Sequence, residues 1–255
     1  MVQFAQDFLD HFPPNLQAQL RQFAAFADEW EERLRKAPQV QWPAPRSLPD
    51  QFDHYLEFVW QTNAAKAVSL CRGIIQSLSE RNFLSFAVLF RAFFEQVLLV
   101  RGYAARLVSV VEEDIPKGQV ESGKVARLIE ELYRSVRRSR VDWEKFLKGE
   151  FRDISGENAM DEVRLKAAAR AWQKTGAKLG VLEPMKLYDV LCDLGHPNFG
   201  SALVCMRSDD FGFVTNSSPS VGLTIFGFLY PSLAAVATEF QGLQNGLIRL
   251  KGSIS

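Results

Sequence analysis

Chemistry in this chain, if it has any, is confined to two short segments. The first is FLSFAVLFRAFFEQVLLVRGY, residues 83–103, in which Arg91 and Glu95 are the two charges of an otherwise apolar run that ends at Arg101. A spacing of four puts both side chains on one face of a helix, within reach of each other. Leaving either unpaired in apolar surroundings costs on the order of several kcal/mol, so both must meet partners or open onto a cavity. The second segment is YDVLCDLGHPNFGSALVCM, residues 188–206, where His196 stands between Gly195 and Pro197 and two residues before Asn198. Proline drives the residue before it out of helical geometry, so His196 is expected at a break between helical pieces.

A break of this kind can aim an imidazole into a cleft, and an unperturbed imidazole titrates near enough to neutrality for acid–base work. In the catalytic reading, His196 is general acid–base, Arg91 stabilises charge on a phosphorane, and Glu95 and Asn198 orient them. In the structural reading, His196 closes a helix end and packs on Tyr188 or a phenylalanine. Arg91–Glu95 is then an ion pair that registers neighbouring helices. The sequence leaves both readings open.

Other chemistry has no local signature in the chain. It contains no GxxxxGK[ST] or GxGxxG phosphate loop, no HExxH or CxxC, and no GxSxG elbow. Three histidines and three cysteines, all scattered, support neither a zinc cluster nor a disulfide framework. No cofactor and no metal are therefore expected. With 30 basic and 30 acidic side chains the formal net charge is zero, which argues against a protein built mainly to coat nucleic acid. One local basic stretch stands out, with Arg127, Arg134 and Arg138 along one helical face. Between Lys124 and Arg152 nine basic residues face five acidic ones, an excess too small for more than modest, salt-sensitive RNA binding. No interleaved aromatics form a stacking platform there.

The elements that must carry these residues read as all-α. Apolar residues at Leu16, Leu20, Phe23, Ala27, Trp30 and Leu34 mark a helix over residues 15–36, bounded by Pro13, Pro14 and Pro38. The four prolines of residues 38–49 make a rigid connector between an N-terminal helical arm, 1–37, and a helical bundle domain, 50–255. A helix over 50–80, with Asp50 as its cap, precedes the long apolar segment 83–111. That segment, apolar nearly all round, is the expected central helix of the bundle, and it holds Phe83, Phe86, Phe90, Phe93 and Phe94 of the chain's 20 phenylalanines. A basic helix is expected over 120–141 with a short one after it, then helices over 162–175, 184–194 and 223–250, the last interrupted by Pro231. Residues 207–220 could form a small β-hairpin. Trp30, Phe58 and Trp60 read as core.

The first ten residues lack a signal-peptide pattern, and the cysteines show no disulfide framework, so a cytoplasmic protein is expected. Residues 211–238 carry no charge, yet the run is short for a span, contains Pro231 and follows a polar stretch. A buried core helix is expected there, with a membrane anchor as the alternative.

Arg-x3-Glu in a long apolar helix, followed about a hundred residues later by Tyr188-x2-Leu191-x4-His196-Pro197-Asn198, resembles a group of bacterial helical proteins similar to the HEPN superfamily. The resemblance implies a helical bundle, commonly a homodimer, with the polar residues converging near the dimer seam. It also implies RNase activity in stress or anti-phage systems. The catalytic motif of HEPN nucleases, Arg followed after four to six residues by His, is missing here: residues 185–195 include Lys186 but no arginine. A dimerising binding or regulatory module with an RNA or protein partner is therefore expected. A metal-independent RNase-like enzyme and a membrane-associated protein are the alternatives.

Overall fold

A computed structural model describes residues 3–41, 47–109, 162–196 and 219–253, with isolated positions 111, 126–128, 130, 145 and 147–149 between them. The described chain is a packed set of helices: α1 (Gln6–Leu9), α2 (Pro14–Lys36), α3 (Leu48–Ser79), α4 (Phe83–Ser109), α5 (Glu162–Gln173), α6 (Pro184–Gly195) and α7 (Pro219–Arg249). Among the described residues there is no strand, only an isolated antiparallel bridge between Leu179 and Leu182. The all-α expectation holds.

Helix α4 touches α3, α5, α6 and α7, the central position its all-round apolarity calls for. Phe83, Phe86, Phe90, Phe93 and Phe94 are all buried. Their partners come from other helices: Phe86 meets Phe226 of α7 edge-on at 5.5 Å, and Phe93 meets Phe240 at 5.7 Å. Phe240 in turn packs edge-on against Trp30 at 5.8 Å, so α2 and the N-terminal arm share one core with α4 and α7. Trp30 and Trp60 are buried as expected, and Phe58 is half-buried. Helices α4 and α7 are both long and apolar enough to cross a membrane, yet each supplies large side chains to this core.

The helix ends show where local chemistry acts. Ser47, not Asp50, caps α3: its Oγ accepts from the Asp50 N–H at 3.3 Å and donates to the Asp50 carboxylate at 2.5 Å. Asp50 instead sits in the first turn, where its charge suits the helix dipole. Between α3 and α4, Arg81 takes a left-handed φ of 57°, and the Asn82 side chain accepts from the Ser85 N–H at 3.0 Å. The hairpin expected over 207–220 lies outside the described residues, save for Pro219 and Ser220, which open α7.

Candidate functional site

Arg91 and Glu95 come from the middle of α4, and the helical period pairs them as expected: Arg91 Nε donates to Glu95 Oε1 at 2.8 Å. Both are about one-quarter exposed. His196 arrives from α6. That helix stops at Gly195, and His196, with φ −96° and ψ 154°, is its C-cap, its backbone N–H donating to the Cys192 carbonyl at 3.1 Å. The extended backbone is what a following proline demands. The imidazole projects away from its own helix and lies on Arg91, with Arg91 Nη1 3.3 Å from Nε2. Gly195 lies against the same side chain: a Cβ there would stand in ordinary contact, 3.6 Å from Arg91 and 3.9 Å from Val88. Residues 105 apart in sequence thus meet at the molecular surface.

A guanidinium only donates, so a hydrogen bond here requires the tautomer in which Nε2 accepts. The ring itself is exposed.

Tyr188, one turn into α6, is buried beneath the pair, and among the described residues its hydroxyl has no hydrogen-bond partner. Its polar neighbours are the Cys192 thiol, Glu95 and Arg91. Burial, reinforced by Cys192 and Glu95, raises the phenol well above its usual range and keeps it protonated. Burial likewise raises the Cys192 thiol, although the Tyr188 hydroxyl and Arg91 pull it back in part. At Arg91, partial burial works against the charge. The hydrogen bond and attraction of Glu95 outweigh it and hold the guanidinium above its already high range.

Two residues that the sequence did not single out border the site. Glu162 and Lys166 of α5 pair at 2.5 Å, and the hydrogen bond and charge of Lys166 lower the Glu162 carboxyl, with smaller help from Arg91 and His196. An i, i+4 pair on an exposed helix reads as an ordinary solvated face, and only the packing of α5 on α4 and α6 gives it a place here. Among the other expected residues, Arg127 is described and exposed, whereas Arg134, Arg138 and Asn198 lie outside the described residues. Among the described residues no group of three or more His, Cys, Asp or Glu side chains could hold a metal ion.

The cluster can bind an oxyanion. The remaining N–H groups of Arg91 and the Nδ1–H of His196 are paired donors, and Glu95 holds the guanidinium in place. Glu95 and Glu162 also limit the charge such a site tolerates, so a single phosphodiester or carboxylate suits it better than a polyphosphate. No family model, curated protein or solved structure matches the chain.

Proposed function

We propose that the protein is a helical binding module, homodimeric and cytoplasmic, that recognises an anionic partner through Arg91 and His196. The observation that carries this reading is the 3.3 Å contact between Arg91 and His196 on an exposed surface. Arg91 is held in place by Glu95. The resemblance to HEPN-like domains makes an RNA phosphodiester the first ligand to test. Homodimerisation draws support from Phe228, which stands 66% exposed on α7. The cytoplasmic reading draws support from the large side chains that α4 and α7 supply to the core.

The same contact favours a second reading, RNase-like catalysis. It brings together an arginine for phosphorane charge and a histidine for proton transfer. For that role Nε2 must first be released from Arg91.

One experiment separates the two. A fluorescein-labelled single-stranded RNA is titrated with the protein, followed by anisotropy, and then run on a denaturing gel. Binding predicts an intact RNA and an affinity about 10- to 100-fold weaker in Arg91→Ala, the loss of a charge-assisted hydrogen bond. His196→Ala weakens it less. Cleavage that disappears in His196→Ala replaces the binding reading with the catalytic one. Equal affinity in wild type and both variants removes this surface from consideration.

A further inference from the structure

Among the described residues the interior holds two apolar clusters, not one. The larger gathers Trp30, Phe93 and Phe240, and the smaller gathers Phe52, Val100 and Leu247. Where they meet, three helices each turn an amide inward: Asn63 of α3, Gln96 of α4 and Gln244 of α7 are all buried, Gln244 completely. Each falls between residues of the two clusters along its own helix, Gln96 between Phe93 and Val100, Gln244 between Phe240 and Leu247.

Their level in the bundle follows from pairing. Gln96 Nε2 donates to the Asn63 carbonyl at 2.7 Å. The Asn63 amide donates to the Val59 carbonyl at 2.9 Å and to the Tyr103 hydroxyl. Helix α3 runs antiparallel to α7, with Lys251 on Glu57 and the Gly252 N–H on Asp53. Along α4 and α7, Phe86 meets Phe226 and Phe93 meets Phe240, and Gln96 and Gln244 stand about one helical turn beyond this second pair on the two helices.

The hydrogen-bond accounting of this layer does not close within the protein. A carbonyl can only accept, so Gln96 must turn its NH2 to Asn63, which fixes its Oε1 as the atom left over. Among the described residues Gln96 Oε1, Gln244 Nε2 and Gln244 Oε1 all lack a partner. Most buried polar side-chain atoms have a partner, protein or ordered water, and a buried water makes about three hydrogen bonds to groups of this kind.

We propose that Gln96 and Gln244 form an internal hydration site, in which ordered water bridges Gln96 Oε1 to the Gln244 amide at the seam between the two clusters. The ligand class is a small neutral hydrogen-bonding molecule, because the site carries amides and no charge. The water ties α7 to the α3–α4 pair at the level where the two clusters meet.

A high-resolution crystal structure of the full chain tests this. Expected is ordered solvent within hydrogen-bond distance of both Gln96 Oε1 and Gln244. A direct amide–amide bond between the two glutamines, or two amides with no solvent between them, overturns it. Stability gives an independent readout. Gln244→Leu matches the size but leaves the water and Gln96 without a partner, and it should lower Tm by about 2–6 °C. The double variant Gln96→Leu, Gln244→Leu removes every needy atom and should recover part of that loss. A Gln244→Leu variant with raised Tm means the amide was an unmet burden and no water held it.

Discussion

The guanidinium of Arg91 serves two partners in different directions, Glu95 through Nε and His196 through Nη1. A lysine keeps the charge but has a single ammonium on a flexible stem, and it cannot hold both. Arg91→Lys should therefore lower stability by about 0.5–1 kcal/mol, a modest figure because both pairs are part exposed. Urea denaturation would measure it, and the same variant should lose RNA affinity although its charge is intact. Half of this site was legible from spacing alone. A spacing of four sets Arg91 and Glu95 on one face whatever surrounds them. That His196 would land on Arg91 was not legible, because it depends on α6 docking against α4. Proline at 197 told that the histidine leaves its helix, but not where it goes.

Helix α7 passes through Pro231, which gives up one backbone donor inside an apolar helix. The turn between α5 and α6 is seated at this point. Ser232 Oγ donates to the Leu179 carbonyl at 2.7 Å, and Gly180 lies so close that a Cβ would stand 2.6 Å from Pro231 Cβ and 2.9 Å from the Ser232 nitrogen. Gly180 also has φ +65°, a conformation that costs other residues about 1–2 kcal/mol. Gly180→Ala thus meets both a backbone clash and strain, and a loss of about 2–4 kcal/mol is expected by urea or thermal unfolding. Gly176, also at positive φ but with open space around it, is the control: Gly176→Ala should lose only the conformational part. In the sequence Gly176 and Gly180 look alike, two glycines just past the end of α5. The sequence could not tell that one of them touches α7, since that contact joins positions about fifty residues apart. Helix existence and ends were otherwise well marked, because apolar periodicity and proline are local signals. The short α1 was not marked, since four residues carry no period.

Across the whole molecule, burial of phenols ties stability to alkaline pH. Tyr103, Tyr188 and Tyr230 sit in three different places, the smaller cluster, the floor of the candidate site and the larger cluster, and all three are nine-tenths or more buried. Burial raises each of them, Tyr230 to about 12 and the other two further. In the unfolded chain a tyrosine ionises near pH 10. A folded pKa above the unfolded one means the native state holds its proton more tightly, so stability is intact below about pH 10 and falls as pH rises through the folded values. Absorbance at 295 nm should therefore rise for these three of the five tyrosines only as the far-UV helical signal disappears. Full tyrosinate absorbance with the helices still formed would show that the phenols reach solvent in the native state. Tyr230→Phe, with no proton to lose, should move the alkaline fall in unfolding free energy to higher pH. The same core explains why two membrane-length helices were ambiguous in sequence: an all-round apolar helix satisfies lipid and a protein interior equally, and only its neighbours distinguish them. Phenols enclosed between α3, α4, α6 and α7 need a packed interior on every side. An alkaline transition that is cooperative in aqueous buffer without detergent is thus expected of a bundle, and a chain that must be extracted by detergent before it titrates belongs to the membrane alternative.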